Sequence, residues 1–281
     1  TPASLLLAKL KSYDIESNKE RQISNESVKE INRRNTIMRD NSLDIATMVA
    51  YTEAGKSITI KEKKNVVIAR TKDNGLEVGD IILSADNTTC EDVNDIKKII
   101  NNKEENDTVT FKILRNNKEK EVNSKIYLEN NSKVVGVVIV TEYDYDIDPK
   151  IDIKFKNSES GASGGLMLTL TIYNAITDGD IIKDRKIAGT GTISYDGTVG
   201  EIDGIKYKIM GAAKDNAKIV FVPTANYEEA IMTKNKYKYD LNEYYLKYFS
   251  KQLCYVIESK DKTLVIPCNM IAIRYYFLSA S

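Results

Sequence analysis

The sequence predicts an α+β protein with three parts: an N-terminal helical segment, a small β-rich domain and a mixed α/β domain. The first observation is length, because 281 residues exceed the roughly 100–200 residues of a typical domain. The second is a change of period near Ser57, where helical spacing of apolar residues gives way to alternation. The third is a second change near residue 133, where strand and helix patterns mix. We therefore place the parts at residues 1–55, 56–127 and 128–281.

The N-terminal part is predicted to be helical. Leu5, Leu6, Leu7 and Leu10 form one apolar face near its start. Residues 24–54 are rich in Glu, Lys, Arg and Asn, with scattered apolar residues. This composition is typical of a mostly solvated helix with one partly apolar side.

The middle part is predicted to run strand, strand, helix, strand, strand. Residues 57–60 alternate and residues 66–69 form an apolar run, and both patterns predict strands. Two more strands are placed at residues 108–114 and 119–127. Between the second and third strands, apolar residues at helical spacing predict a short helix over residues 91–100. The pair Asn116-Asn117 is a turn between the last two strands.

The C-terminal part mixes strands and helices. Strands are predicted at residues 134–140, 151–155, 186–194, 198–202, 218–222 and 263–266. Helices are predicted at residues 166–176, 204–216, 226–231 and 269–278. Residues 236–261 interrupt this pattern and are predicted to be an insertion. The turn at residues 161–165 is rich in glycine and precedes the first of these helices.

Composition excludes several classes of function. The chain has no histidine, so no Ser-His-Asp triad and no His-ligated metal site can form within it. The 41 basic and 41 acidic residues cancel, which argues against a charge-driven nucleic-acid binder. Its three cysteines form no C-x-x-C pair, so a structural zinc site is not expected. We expect no metal and no cofactor.

One short motif carries chemistry. Residues 161–165 read Gly-Ala-Ser-Gly-Gly and match G-x-S-x-G, which places a serine hydroxyl near a helix start where free backbone N–H groups can hold an oxyanion. The alternative is a glycine-rich turn whose serine caps a helix. An α/β-hydrolase site would need a histidine downstream of the serine, and the chain has none.

A serine nucleophile without histidine needs another base, and lysine is the common substitute. A free lysine titrates at about 10.4, so a lysine base must lose its proton more easily than usual. The predicted helix at 204–216 offers Lys206 and Lys208 on opposite sides of its apolar face. The smaller neighbours of Lys208 leave more room for an inward side chain, but periodicity alone does not choose between the two. Either lysine could also be an ordinary surface residue.

Several motifs in order resemble the Lon-type serine protease domain. They are residues 161–166, Lys186 to Ile193, Asp196 to Gly200, Gly204 to Lys208, Phe221 to Pro223 and Asn226 to Ala230. The resemblance covers residues 128–235 and extends to the last strand and helix. It implies that Ser163 is the nucleophile, that Lys208 is its base and that Thr190 orients the lysine. Backbone groups of Gly161, Ala162 and Gly164 would support the oxyanion. Ala162 and Gly164 stand where that family usually has proline and alanine, which loosens the turn.

Residues 75–82 and the helix near Asp92 resemble a PDZ domain of the bacterial protease-associated kind. PDZ domains bind a peptide C-terminus as an added strand beside a helix. The resemblance implies a groove formed by Val66, Val67 and Ile68 on one side and Val93 and Ile96 on the other. A PDZ shape with a closed groove is the alternative.

A PDZ domain followed by a Lon-type domain resembles the membrane-anchored PDZ–Lon protease family. This resemblance implies an ATP-independent serine endopeptidase on the extracellular face of the cell membrane, held by an anchor absent from this chain, with protein or peptide substrates. The sequence contains no G-x-x-x-x-G-K-[ST], so no P-loop ATPase is expected in it. Lon-type domains often form rings, but no number of subunits follows from the sequence. The alternative function is a peptide-binding adaptor with a degenerate, inactive protease domain.

Overall fold

The structure is a computed structural model that describes residues 26–154, 161–178, 186–217, 219–237, 241–242 and 263–268. The chain forms two compact units, each built from two stretches of sequence. The first unit holds the described residues up to Asn35 together with Lys64–Thr141. The second holds Thr36–Lys63 and the described residues from Glu142 onward. This division does not test the domain boundaries predicted at residues 55 and 127, which stay a prediction.

Helix α1, Val28–Glu53, begins with a capping box. The Ser27 Oγ accepts the Glu30 N–H at 3.2 Å, and the Glu30 carboxylate accepts the Ser27 N–H at 2.8 Å. The helix is followed by Gly55 in the left-handed region, at φ 63°, a conformation that ends helices and favours glycine. The helical prediction is thus confirmed from residue 28, and the leucines at positions 5 to 10 lie outside the described residues.

The first unit contains most of a sheet whose strand order is β5-β4-β2-β1-β8. The elements are β1 Ser57–Arg70, β2 Ile81–Ala85, β3 Thr88–Thr89, helix α2 Val93–Asn101, β4 Thr108–Arg115, β5 Lys118–Lys125, β6 Tyr127–Glu129, β7 Ser132–Val134 and β8 Val137–Asp148. Neighbouring strands β1, β2, β4 and β5 pair antiparallel. A β-rich domain is therefore confirmed, and the two runs predicted at residues 57–60 and 66–69 form the single strand β1.

Alternation of apolar side chains builds the core of this unit. Val109, Phe111 and Ile113 on β4 are fully buried, and Ile96 and Ile100 of α2 pack into the same cluster. The side chain of Asp92 caps α2 by accepting the N–H groups of Asn94 and Asp95. A period of two on the strands and of three to four on the helix therefore directs both to one core.

The second unit contains a parallel sheet of strand order β13-β14-β12-β9. Its elements are α3 Gly165–Ile176, β9 Ile187–Gly189, β10 Thr192–Ile193, β11 Val199–Gly200, α4 Ile205–Lys214, β12 Ile219–Pro223, a 3-10 turn Thr224–Asn226, α5 Tyr227–Lys236, β13 Leu241–Asn242 and β14 Thr263–Cys268. Strands β10 and β11 lie within the predicted strands at 186–194 and 198–202 and pair antiparallel. Residues 151–154 lie outside any strand, which corrects that prediction, and the predicted helix at 269–278 lies outside the described residues.

Two clusters form the core of the second unit. One joins the apolar face of α1, from Ile45 to Tyr51, to α3 and to residues of β9 through β12. The other joins Ile205 and Ile209 of α4 to β12 and to Ala230 of α5. Helices α3 and α4 are thereby anchored by buried side chains, and both carry candidate catalytic residues at or just before their first turns.

In the described part of the chain, no helix has the length and apolar character needed to cross a bilayer.

Candidate active site

The serine-bearing turn precedes α3. Gly161 has a φ of 75°, a backbone conformation that residues with a side chain rarely adopt. The Ala162 carbonyl accepts the Gly165 N–H at 3.1 Å and closes the turn. The Gly164 carbonyl then accepts the Leu168 N–H at 2.9 Å, the first hydrogen bond of α3. Ser163 therefore lies immediately before a helix N-terminus, as the G-x-S-x-G motif predicts.

Lys208 is the lysine that the fold brings to the serine. Its Nζ donates to the Ser163 Oγ at 3.3 Å, and the side chain is exposed rather than buried. Lys206 lies over the ring of Tyr207, with its Nζ 5.4 Å from the ring centre. Of the two lysines that periodicity left open, Lys208 contacts Ser163. It is the lysine that the family resemblance implies as the base, and its role as base stays a prediction.

Helix α4 positions Lys208 through its starting point. Gly204 adopts a left-handed φ of 70°, and its carbonyl accepts the N–H groups of Tyr207 and Lys208. Ile205 and Ile209 are fully buried below the helix. Because these two anchors fix the rotation of the helix, the side chain at 208 is carried toward the turn at 161–164.

Thr190 holds the serine residue itself, not the lysine. Its buried hydroxyl donates to the Ser163 carbonyl at 3.0 Å, and the Gly191 N–H donates to the same carbonyl at 2.9 Å. This is a correction, because the family resemblance implies that Thr190 orients the lysine. The two donors tie Ser163 to the segment that links β9 to β10.

Among the described residues, the Ser163 N–H donates no backbone hydrogen bond. The Ala162 carbonyl and the Ser163 N–H belong to one peptide group, and the carbonyl is occupied by Gly165. A backbone N–H beside a serine hydroxyl at a helix start can stabilise a developing oxyanion. Of the predicted oxyanion residues, Ala162 and Gly161 shape the turn and Gly164 begins the helix.

Asp44 and Tyr145 form a partly buried polar pair in the second unit. The Tyr145 hydroxyl donates to the Asp44 carboxylate at 3.2 Å. Burial raises the pKa of Asp44 to about 6, with Glu142 and Asp40 adding to the effect, and burial raises the pKa of Tyr145 to about 12. Asp44 therefore gains a proton on mild acidification, because its pKa lies well above the usual range of an aspartate.

The predicted peptide groove needs correction. Val66, Val67 and Ile68 are buried in β1, which lies between β2 and β8. The N–H and carbonyl of Val67 bond to Asp80 and Gly79, and β8 occupies the opposite side. Strand β1 therefore offers no edge to an added strand within the described sheet. The sequence alone does not reveal which strand of a sheet lies outermost.

Strand β8 is the outermost described strand on this side of the sheet. Its residues Val137 and Ile139 pack against the same core cluster as Ile96 and Ile100 of α2. Val93, at the start of α2, is half-buried. The strand half of the predicted groove, Val66 to Ile68, therefore lies on an inner strand of the described sheet, and the peptide groove itself stays a prediction.

Arg115 fixes the turn that carries the PDZ-like motif. Its guanidinium donates to the Asp80 carboxylate at 2.6 and 2.7 Å, to Glu77 at 2.6 Å and to the Gly75 carbonyl at 2.8 Å. Asp80 is 1% exposed, so its charge is compensated almost entirely by protein groups, including the Glu77 N–H. Arg115 lies on β4 and was not identified from the sequence, where one arginine on an alternating strand carries no distinguishing signal.

Two segments of the chain match known families. Residues 52–126 match the family described as PDZ domain. Residues 151–258 match the Lon protease (S16) C-terminal proteolytic domain. The second match contains Ser163, Thr190 and Lys208, the three residues that the fold brings together.

Curated relatives agree with these assignments. The Lon protease of Metamycoplasma arthritidis is 26% identical over 142 residues, which cover 50% of this chain and 16% of that protein. The mitochondrial Lon protease homolog of Phaeodactylum tricornutum is 32% identical over 105 residues, covering 37% of this chain and 12% of that protein. The chain thus spans less than a fifth of the length of these relatives.

Among solved structures, the PDZ domain of the SdrC-like protein from Listeria innocua is 22% identical, with a TM-score of 0.26. It covers 27% of this chain and 92% of that domain.

Proposed function

We propose that this chain, which belongs to the PDZ–Lon-type protease family, is an ATP-independent serine endopeptidase that uses a Ser163–Lys208 dyad. The observation that carries the proposal is the 3.3 Å contact between Lys208 Nζ and Ser163 Oγ. The two residues are far apart in sequence, and they meet within the segment that matches the proteolytic domain. Contact of a serine hydroxyl with a basic side chain is the arrangement that activates a nucleophile.

The proposed reaction is acyl transfer. Neutral Lys208 accepts the hydroxyl proton as the Ser163 Oγ attacks the scissile carbonyl carbon, forming a C–O bond and an oxyanion. The protonated lysine then gives that proton to the leaving amine as the C–N bond breaks. Water hydrolyses the resulting ester with the lysine again acting as base. In the structure the lysine donates to the serine, and catalysis requires the reverse direction, in which an uncharged amine accepts.

Substrate carbonyl oxygen would be held by the Ser163 N–H. Hydrogen bonds from Thr190 and Gly191 to the Ser163 carbonyl keep the residue in place. Donors that are already oriented before reaction stabilise the transition state without reorganisation. This arrangement also assigns Thr190 to positioning, because it touches the backbone of the nucleophile and not its hydroxyl.

ATP independence is proposed for the chain as given. Its 281 residues contain no P-loop motif that could cradle nucleotide phosphates. The location on the outer face of a membrane, which the family resemblance implies, stays a prediction.

The PDZ domain would present substrates by strand addition at β8. An extended peptide pairing with the outer edge of β8 would lie beside α2, whose Ile96 and Ile100 share a core with Val137 and Ile139. A peptide with a free C-terminal carboxylate should shift the amide NMR signals of residues 137–141 and 93–101. Shifts confined to residues 66–69, or equal shifts with a C-terminally amidated peptide, would contradict this site.

A fluorophosphonate probe tests the catalytic proposal directly. Wild-type protein should be labelled at Ser163, located by mass spectrometry, and should cleave a fluorogenic peptide. Ser163→Ala and Lys208→Ala should each lower activity by at least about 10³-fold, and the double variant should be little worse, because a nucleophile and its base act as one unit.

Lys206→Ala is the matched control, since Lys206 lies on the same helix turn and contacts Tyr207 instead. It should keep activity within about twofold of wild type. No labelling and no cleavage by wild type across a wide pH range would favour the adaptor function. Loss of peptidase activity in Lys206→Ala, with activity retained in Lys208→Ala, would overturn the assignment of the base.

A further inference from the structure

Helix α1 places a buried hydroxyl against the serine-bearing turn. Ser42 is 5% exposed, and its Oγ donates to the Ala162 carbonyl at 3.3 Å. Both residues belong to the second unit. Ser42 lies outside residues 151–258, the segment that matches the Lon-type domain, so the family match assigns it no role.

The spacing along α1 explains why this serine reaches the turn. Ser42, Ile45, Ala46, Val49 and Ala50 are all buried, and their spacing of three and four residues places them on one face of the helix. The last four pack into the cluster that also contains Leu166 and Ile172 of α3. Ser42 extends this face by one turn, and its hydroxyl therefore lies beside the residues that lead into α3.

Gly165 gives an independent measure of how closely α1 approaches. A Cβ atom at Gly165 would lie 2.9 Å from the Ser42 Oγ and 2.6 Å from the Ile193 Cγ2. A residue with a side chain would therefore collide with the serine. The absence of a side chain at this position lets the Ser42 hydroxyl pass the first residue of α3 and reach Ala162.

The carbonyl that Ser42 contacts controls the orientation of the nucleophile's amide. Two donors, the Ser42 hydroxyl and the Gly165 N–H, hold the Ala162 carbonyl. The peptide group is planar and trans, so its carbonyl and its N–H point in opposite directions. Holding the Ala162 carbonyl therefore fixes the direction of the Ser163 N–H, the group proposed to hold the oxyanion.

We infer that Ser42 is a positioning residue for the proposed protease, because its hydroxyl orients the Ala162–Ser163 peptide toward the substrate carbonyl. This inference rests on the proposed function. Ser42 acts through the backbone of the turn and contacts neither the reacting atoms nor the lysine. Its effect should therefore fall on transition-state stabilisation and leave substrate binding nearly unchanged.

Ser42→Ala tests the inference, with Thr47→Val as the matched control. Thr47 lies on the same helix and is buried, but its hydroxyl donates to Leu43 within the helix at 2.8 Å. Ser42→Ala should lower kcat about 2- to 12-fold, the factor that loss of one neutral hydrogen bond gives. KM should stay within about twofold, and fluorophosphonate labelling should slow by the same factor as kcat. Thr47→Val should keep the wild-type kcat and labelling rate.

Amide hydrogen exchange of residues 161–166 provides a readout that needs no activity. It should quicken in Ser42→Ala and stay at the wild-type rate in Thr47→Val. Wild-type kcat, labelling and exchange in Ser42→Ala would overturn the inference while leaving the proposed function intact. Equal losses in both variants would overturn it too, since they would reflect weakening of the whole helix. If wild type neither cleaves nor is labelled, the proposed function fails, and unchanged exchange in Ser42→Ala then separately rejects the positioning role.

Discussion

Two adjacent glycines allow a sharp test of the packing around the serine-bearing turn. A Cβ atom at Gly165 would lie 2.6 Å from the Ile193 Cγ2, 2.9 Å from the Ser42 Oγ and 3.0 Å from the Ile193 backbone nitrogen. A Cβ atom at Gly164 would meet nothing within 4 Å, and its φ of −89° suits any residue. Gly165→Ala thus adds a methyl group to a crowded position, and Gly164→Ala adds the same group to an open one.

The expected cost of Gly165→Ala follows from these distances. Overpacking a well-packed site costs about 1–3 kcal/mol, and the higher helix propensity of alanine returns up to about 1 kcal/mol. The free energy of unfolding should therefore fall by about 1–2 kcal/mol. For a unit of this size, such a loss lowers Tm by about 2–8 °C. Gly164→Ala should change the free energy of unfolding by less than about 0.5 kcal/mol.

Far-UV circular dichroism in a urea titration measures both variants, with a thermal scan as a second probe. The chain has no tryptophan, so circular dichroism is preferable to fluorescence. Equal stability of Gly165→Ala and Gly164→Ala would refute the close approach of Ser42 and Ile193 to α3. That outcome would also weaken the positioning role inferred for Ser42.

The other predictions concern a buried ion pair, a protonation and a hydroxyl. Arg115→Met should lower the free energy of unfolding by about 3–5 kcal/mol, because it strands the buried Asp80 carboxylate. Urea titration measures this, and adding Asp80→Asn should recover part of the loss. The raised pKa of Asp44, to about 6, means that its proton binds the folded state more tightly. The stabilising contribution of the protonated carboxyl is full below about pH 4 and is lost as pH rises through about 6. Wild type should therefore lose unfolding free energy relative to Asp44→Asn over that interval, and parallel pH curves would contradict it. Thr190→Val should lower kcat about 10-fold at unchanged KM, and Thr190→Ser should keep the wild-type kcat. Equal activity of the two variants would show that the Thr190 hydroxyl does not position Ser163.

Local pattern was enough to predict much of the fold. Alternation on β4, with Val109, Phe111 and Ile113 inward, and helical spacing on α2 both agree with the buried residues found. Strand β8 was predicted to end at Val140 because its apolar run ends there. It continues to Asp148, and the missed signal is the alternation of half-buried Tyr143, Tyr145 and Ile147 with exposed aspartates.

The candidate site was predictable in its residue types and not in its contacts. Ser163 follows from its glycine-rich turn, and the family resemblance implies Lys208. Periodicity alone left Lys206 open, because the rotation of α4 depends on the tertiary packing of Ile205 and Ile209. The contact of Ser42 could not be predicted from the sequence. A serine that continues the buried face of a helix has the same sequence pattern as a serine at the solvent-exposed edge of that face. The outer position of β8 likewise depends on sheet order, which involves pairing between distant segments.

The alternation of the two units along the chain has a consequence for synthesis on the ribosome. Thr36–Lys63 belongs to the second unit, but the stretch that completes that unit begins only at Glu142, after Lys64–Thr141 of the first unit. At about 5–20 residues per second, the buried face of α1 therefore emerges seconds before α3 exists to cover it. The first unit can complete its own core, from Val67 to Ile139, in that interval. The apolar face of α1, at residues 42–51, therefore stays without its partner α3 while the intervening unit is made and folds.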